Sequence, residues 1–138
     1  TDSSNPVEIA YFDRGPLDEE ELITAGYWST YWYGGYIYAT EIARGLDVFA
    51  LEPSDYLSEN EIAAASLQDA NVTVNAQTQE RVNWPAVPVV ARAYIDQLQR
   101  SDAIDAQQLQ PLLRLIEQAE DLLDSSSSSD SGVSSAKS

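Results

Sequence analysis

The clearest pattern along the chain is a run of aromatic and β-branched residues that begins after Gly26. Tyr27 to Tyr33 is strongly strand-forming, and Gly34-Gly35 can take the positive φ angles of a two-residue hairpin turn. Tyr36 to Thr40 has the composition of the partner strand. After a short connection, Leu46 to Leu51 carries apolar residues at alternate positions and predicts a third strand. The segment therefore predicts an antiparallel meander of short strands.

A further strand is predicted upstream, from Val7 to Phe12, where β-branched, aromatic and small residues follow one another. Asp13 to Pro16 ends it, because glycine and proline favour turns. Asp18 to Glu21 is consecutively acidic and predicts an exposed loop. With this strand included, the sheet is expected to be a four-stranded antiparallel meander.

Helical patterns follow Pro53, which closes the β region. Ser58 and Glu61 have the spacing of a capping box, so a short alanine-rich helix should follow through Leu67. A second helix is expected to start near Pro88, since proline is well placed in the first turn of a helix. Its apolar face consists of Val89, Val90, Ala93, Tyr94 and Leu98.

The strongest amphipathic stripe lies in the last helical segment and consists of Leu109, Leu112, Leu113, Ile116, Ala119, Leu122 and Leu123. Pro111 either starts this helix or kinks it. The linker from Arg100 to Asp105 is short enough for an antiparallel helical hairpin. Between the helical patterns, Asn71 to Trp84 is polar and mixed, with an extended stretch predicted near its start. From Ser125 onward the chain is serine-rich and is expected to be disordered.

The chain carries 23 acidic and 7 basic residues, a net charge of -16. This balance argues against nucleic acid as a direct partner, because phosphate binding needs a basic surface. The same balance serves solubility, and it is also compatible with a salt-rich environment in which self-repulsion is screened. The only lysine is Lys137 and the other cations are arginine, which gives weak support to the salt-rich alternative.

Cysteine, histidine and methionine are all absent. Without cysteine or histidine, the sequence offers no disulfide, no thiol nucleophile and none of the usual transition-metal ligands. A bound metal would have to be a hard cation such as calcium, held by oxygen atoms. Because methionine is missing even at the first position, we expect a processed product or a fragment of a longer protein. The sequence contains no transmembrane segment and no signal peptide.

Both faces of the first aromatic strand are apolar. Simple alternation puts Tyr27, Ser29, Tyr31 and Tyr33 on one face and Trp28, Thr30 and Trp32 on the other. A sheet with one solvated face should instead alternate apolar and polar residues. The pattern therefore indicates a sheet that is packed on both sides, as in a radial or stacked assembly.

The segment from Gly26 to Leu51 resembles a blade of the bacterial and archaeal LVIVD-repeat β-propellers. In those repeats a turn with glycine or asparagine leads to a "Y-x-Y-A" strand, and a short loop then leads to "G-L-x-V-x-x-L". Tyr36 to Ala39 and Gly45 to Leu51 occupy these places. Asn5 to Ile9 is similar to the "N-P-V-x-V" strand that completes the preceding repeat. The chain departs from the family pattern in its acidic insertion and in its tryptophans, Trp28 and Trp32.

The resemblance implies a terminal propeller blade over residues 1–56 and a helical extension over 57–124, and the serine-rich composition adds a disordered tail over 125–138. It also implies a secreted or cell-surface location, which the composition merely permits. The expected partners are the remaining propeller blades or a partner protein. A single blade buries too little apolar surface to offset its ordering entropy, so the chain alone should be marginally stable.

The predicted function is a non-catalytic module for binding or assembly. One alternative is a hydrolase-like enzyme whose active site lies in the propeller channel, outside this chain. Another is a free-standing small α+β interaction protein whose helical hairpin docks onto a partner. No catalytic, cofactor-binding or metal-binding residue is assigned by the sequence.

Several polar groups are nevertheless candidates for chemistry. Asp18 to Glu21 could bind calcium, although a solvated loop is favoured because consecutive residues point in different directions. Glu41 and Asp47 could act as paired carboxylates in glycoside hydrolysis, although binding of backbone N–H groups at turns is favoured. Arg44 could anchor a ligand, although an ion pair with one of these two carboxylates is favoured. Asn71 begins a glycosylation triplet.

The aromatic cluster of Trp28, Tyr31, Trp32 and Tyr33 could stack on carbohydrate. Packing between blades is favoured for these residues, because they lie in the middle of a strand.

Overall fold

The computed structural model describes residues 4–67 and 83–134, and it is a small α+β fold. Three strands form one antiparallel sheet in the order β1-β2-β3: β1 Tyr27–Tyr33, β2 Tyr36–Glu41 and β3 Gly45–Ala50. Three helices follow: α1 Glu59–Ser66, α2 Pro88–Arg100 and α3 Ala106–Ser134. The meander and the three helical segments predicted from the sequence are confirmed.

The chain divides into two compact units, Thr1–Pro85 and Ala86–Ser138. Helix α1 therefore belongs to the unit that contains the sheet, whereas the sequence grouped it with the later helices in an extension over 57–124. The predicted extended stretch near Asn71 and the glycosylation triplet lie outside the described residues.

The β1–β2 hairpin turns through Gly34 and Gly35, whose φ angles are 57° and 87°. Two consecutive positive φ angles are typical of a type I′ turn, whose twist matches that of the strands. Gly35 has a second reason to be glycine. A Cβ atom built at this position would lie 2.7 Å from the Oγ atom and 3.2 Å from the Cβ atom of Ser66. The end of α1 thus approaches the hairpin turn closely.

A β-bulge changes the predicted faces of β1. Tyr27 pairs with Glu41 and Ser29 pairs with Thr40, so Trp28 is the extra residue. Because paired residues point to the same side of a sheet, Tyr27 shares a face with Glu41 and Ser29 shares the opposite face with Thr40. The assignment of Tyr27 to the same face as Ser29, Tyr31 and Tyr33 was therefore wrong.

The predicted strand from Val7 to Phe12 does not form. In the part of the chain that the structure describes, this segment pairs with no strand, and the sheet has three strands instead of four. The Phe12 ring contacts Phe49 and Tyr27, with ring centroids 4.7 and 6.4 Å apart. The segment is therefore held to the sheet by an aromatic contact. Strand-forming residues make a strand only where a backbone edge offers hydrogen bonds.

Helix α1 begins with the predicted capping box. The Ser58 hydroxyl accepts from the backbone N–H of Glu61 at 3.1 Å, and the Glu61 carboxylate accepts from the N–H of Ser58 at 2.8 Å. The helix ends at Ser66, with Leu67 as its C-cap. Its one buried residue is Ala64.

Helices α2 and α3 form the second unit as the predicted hairpin. The Arg92 guanidinium donates two hydrogen bonds to the Glu120 carboxylate, at 2.8 and 2.6 Å. Helix α3 begins at Ala106, where Asp105 and Gln108 form a capping pair that the sequence analysis missed. Pro111 lies inside this helix, so the alternative in which it starts the helix was wrong.

Helix α3 continues to Ser134, past the predicted start of a disordered tail at Ser125. The hydroxyls of Ser125 and Ser126 donate to the carbonyl oxygens of Leu122 and Leu123, at 2.9 and 2.7 Å. Serine side chains can form such local bonds inside a helix as well as outside it, so composition alone does not fix the boundary. Within the described residues, no helix is long and apolar enough to cross a membrane.

Within residues 4–67 and 83–126, the buried apolar residues are few and mostly small: Ala39, Ala64, Val90, Ala93 and Ile95. Among the described residues, no large side chain is fully buried. Domains of this length usually bury a substantial apolar core, which provides most of their stability. The described fold therefore lacks an extensive core of its own.

The close approach of Ser66 to Gly35 gives a first prediction. Replacing Gly35 with alanine should lower the free energy of unfolding by about 2 kcal/mol, because a positive φ angle is strained and the new methyl group overlaps Ser66. The matched control is Gly34→Ala, which has a positive φ angle but no atom within 4 Å of the new Cβ. It should cost about half as much.

Urea titration followed by far-UV circular dichroism measures both changes. Ser66→Ala should restore part of the lost stability in the Gly35→Ala background and none in the Gly34→Ala background. Equal losses for the two glycine variants would contradict the packing of α1 on the turn.

Candidate interaction surface

The strand register divides the sheet into two faces of different character. We call the first the open face, and it consists of Ser29, Tyr31, Tyr33, Tyr36, Tyr38, Thr40, Leu46, Val48 and Ala50. We call the second the covered face, and it consists of Tyr27, Thr30, Trp32, Ile37, Ala39, Glu41, Asp47 and Phe49.

The open face is apolar and aromatic, yet it is exposed. All of its residues except Tyr38 are exposed, and Leu46 and Val48 are 61% and 53% exposed. It carries no charged side chain, although 22% of the residues in the chain are charged. Contiguous apolar surfaces of this kind usually mark an interaction site on a soluble protein. The open face is therefore the candidate functional surface.

On the covered face, Asp47 joins the N-terminal segment to the sheet. Its carboxylate accepts a hydrogen bond from the Tyr27 hydroxyl at 2.7 Å and forms an ion pair with Arg14 at 2.6 Å. The hydrogen bond from Tyr27, followed by that from Arg14, lowers the pKa of Asp47. Burial and the same hydrogen bond raise the pKa of Tyr27. Together with the Phe12 ring, this network holds residues 12–14 against the covered face.

Glu41 is the only buried charged residue among those described, with 6% of its surface exposed. Its carboxylate accepts from the backbone N–H of Gly26 at 2.7 Å, from that of Ala43 at 2.8 Å and from that of Arg44. These bonds lower the pKa of Glu41, and the bond from Gly26 has the largest effect. One side chain thus ties the start of β1 to the turn between β2 and β3.

Arg44 does not make the ion pair that the sequence predicted. Its guanidinium donates to the backbone carbonyl oxygens of Pro16 and Gly15, at 3.2 and 3.5 Å, while Asp47 pairs with Arg14. The prediction missed Arg14 because 33 residues separate it from Asp47. A charge pair at such a distance leaves no local pattern in the sequence.

The structure brings Glu41 and Asp47 to the same face of the sheet, but both carboxylates are engaged by hydrogen-bond donors. Glu41 binds three backbone N–H groups and Asp47 binds Tyr27 and Arg14. Their lowered pKa values keep both groups ionised near neutral pH, so neither is suited to act as a general acid there. The arrangement favours the structural interpretation of this pair.

The acidic loop is organised by its own backbone. Asp18 accepts from the N–H groups of Glu20 and Glu21, each at 2.8 Å, and these bonds lower its pKa. Among residues 4–67 and 83–134, no group of three or more acidic side chains is arranged to hold a metal ion. Asp18 to Glu21 are exposed, as expected of the favoured solvated loop, and calcium binding stays the less favoured alternative.

The predicted aromatic cluster does not form a single surface. Tyr31 and Tyr33 lie on the open face, and Trp32 lies half-buried on the covered face. Trp28 occupies the bulge and is 81% exposed. Tyr36, Leu46 and Val48 also belong to the open face and were not among the predicted site residues, although the register of the glycine hairpin could have placed them there.

Comparisons with family models, with curated proteins and with solved structures found no match to this chain. The functional assignment therefore depends on the geometry of the sheet and on the resemblance described above.

The hydrogen bonds of Glu41 predict a dependence of stability on pH. A lowered folded-state pKa adds stability above the unfolded value of about 4.3, and that stability is lost as the pH falls through the folded pKa. Asp47 contributes in the same direction. The free energy of unfolding should therefore fall progressively as the pH is lowered below about 5.

Glu41→Gln isolates this effect. The variant should be less stable at neutral pH, because one amide oxygen replaces two carboxylate oxygens, and its stability should depend less on pH. Glu52→Gln is the matched control at an exposed position and should preserve the wild-type pH profile. Parallel pH profiles for Glu41→Gln and the wild type would contradict the assigned role of Glu41.

Proposed function

We propose that the chain is a non-catalytic β-propeller blade module that mediates binding or assembly in a secreted or cell-surface protein. The observation that carries this proposal is the open face, an exposed sheet surface without charge that lies opposite a covered one. A blade in a propeller packs both of its faces against neighbouring blades, which accounts for apolar residues on both sides.

The N-terminal segment gives independent support. Val7 and Ile9 alternate as in a strand, and both are exposed. In the LVIVD repeats that the chain resembles, the corresponding segment completes the preceding blade. A strand whose pairing edge belongs to another blade would carry β-forming residues and yet pair with nothing in its own sheet.

The small number of buried apolar residues points the same way. A module whose stability depends on neighbours can expose large side chains that a free-standing domain would bury. The engagement of Glu41 and Asp47 by structural hydrogen bonds favours a binding module over an enzyme with its active site on this sheet.

A second candidate is a small α+β protein that folds alone and binds one partner through the open face. The packing of Ser66 on the hairpin turn favours this candidate, because α1 then forms part of a compact unit with the sheet. The two candidates differ in whether the chain has a cooperative fold without its neighbours.

Thermal unfolding of the chain alone separates the two candidates. The propeller module should show weak near-UV aromatic signals, a broad transition and binding of an apolar dye, because its open face lacks neighbours. A sharp cooperative transition with strong aromatic signals at both low and high salt would overturn the propeller proposal. If a sharp transition appears only in molar salt, charge screening is limiting, as expected in a salt-rich environment.

Paired substitutions on β3 test the role of the open face. Val48→Ser should leave stability within about 0.5 kcal/mol of the wild type and should reduce dye binding, since Val48 is exposed. The matched control is Phe49→Ser on the adjacent covered position, which should lose about 2 kcal/mol or more through its contacts with Phe12 and Tyr27. A large loss for Val48→Ser would show that the open face is already packed within the chain.

A further inference from the structure

Helix α3 carries two apolar stripes, and only one of them faces α2. Glu120 contacts α2 through its ion pair with Arg92. The residues that share this side of the helix by periodicity are half-buried: Leu109, Leu113 and Ile116. We call the second set the outer stripe, and it consists of Leu112, Leu115, Ala119 and Leu122.

The outer stripe is exposed along its whole length. Leu115 and Leu122 are 60% and 70% exposed, and Leu112 and Ala119 are exposed as well. Its members are spaced three, four and three residues apart. This spacing is that of the a and d positions of a heptad, which form the seam between paired helices. An isolated surface helix would place polar residues on this side.

Between Pro111 and Ser125, the charges of α3 avoid the edges of this seam. If Leu112 is an a position, the neighbouring e and g positions from Pro111 to Ser125 contain no charged residue. The e positions are Ile116 and Leu123, and the g positions are Pro111, Gln118 and Ser125. The charged residues of the same stretch occupy the b, c and f positions: Arg114, Glu117, Glu120, Asp121 and Asp124.

This distribution indicates the kind of partner. A basic partner helix would normally be matched by acidic residues at e and g, and they are absent from this seam. Identical seams without edge charges can approach each other without local repulsion. Apolar residues at a, d and e together form the broad stripe that is typical of helices in a four-helix bundle.

The outer stripe is also self-complementary. An antiparallel pairing about a two-fold axis level with Glu117 exchanges Leu112 with Leu122 and Leu115 with Ala119. Each seam residue therefore meets another seam residue, as an isologous two-fold interface requires. Leucine opposite alanine also lets the two helices approach closely and interdigitate.

We propose that the outer stripe of α3 binds the outer stripe of a second copy of this chain, so that two α2–α3 hairpins form an antiparallel four-helix bundle. The proposal depends only on α3 and not on the propeller interpretation. It goes beyond that interpretation because it assigns a self-association surface to the helical unit, separate from the open face of the sheet.

Sedimentation equilibrium of the full chain over a wide range of concentrations tests the proposal. The wild type should dimerise, and the dimer should tighten with added salt, because the net charge of -16 on each copy opposes association at long range. Leu115→Glu should raise the dissociation constant by about 100-fold or more, since it removes two apolar contacts per dimer and buries two charges. Far-UV circular dichroism checks that α3 remains helical.

Arg114→Glu is the matched control, because it lies next to Leu115 and changes the net charge by more but faces away from the seam. It should leave the dissociation constant within a few-fold of the wild type. A chain that stays monomeric at all concentrations would overturn the proposal. So would a dimer that resists Leu115→Glu, or one that Arg114→Glu weakens equally.

Cysteine cross-linking tests the antiparallel register, and the absence of native cysteine makes the readout unambiguous. A mixture of Leu115→Cys and Ala119→Cys chains should give the mixed disulfide dimer on mild oxidation. Leu115→Cys alone should give little cross-linked product, because the two Leu115 positions lie on opposite sides of the axis. Efficient cross-linking of Leu115→Cys to itself would contradict the antiparallel arrangement.

Discussion

The Glu41 carboxylate is the point on which the geometry of the sheet depends. It binds backbone N–H groups from Gly26, Ala43 and Arg44, so it joins the beginning of β1 to the connection between β2 and β3. Backbone groups at the end of a sheet have no ladder partner and must otherwise bind water. A buried carboxylate is stable here because these donors replace its lost hydration. This connection holds the start of β1 and the β2–β3 turn in place at one end of the sheet, while the glycine hairpin sets the β1–β2 register at the other end.

The two faces of the sheet have different roles. The covered face holds the polar network of Asp47 and the aromatic contacts of Phe49, and it fixes the N-terminal segment against the sheet. The open face holds exposed aromatic and aliphatic side chains and carries no charge. The helical unit repeats this division, because one side of α3 contacts α2 and the other carries the outer stripe. Both units therefore expose apolar side chains in an ordered arrangement, and such patches usually mark interaction sites.

Local signals in the sequence were sufficient for the strands of the meander, the glycine turn, the capping box at Ser58 and the start of α2. These features depend on residues that are near one another in the chain. The errors concern features that depend on distant partners. Val7 to Phe12 has the composition of a strand but no edge to pair with, and Arg14 binds a carboxylate far along the chain. The sequence predicted that the strands carry apolar residues on both faces. It did not predict which residues share a face, because that depends on the strand register and on the bulge at Trp28.

The bulge at Trp28 has a consequence for how this sheet can change in evolution. Side chains alternate along a strand, so the extra residue Trp28 determines on which face of the sheet Tyr27 lies. Loss of that single codon would turn Tyr27 away from Asp47 and carry Gly26 out of reach of Glu41. A substitution of Trp28 itself keeps the strand length and so preserves both anchors, whereas a one-residue deletion would disturb both at once. Length at this position is therefore under stronger constraint than the identity of the exposed tryptophan that occupies it.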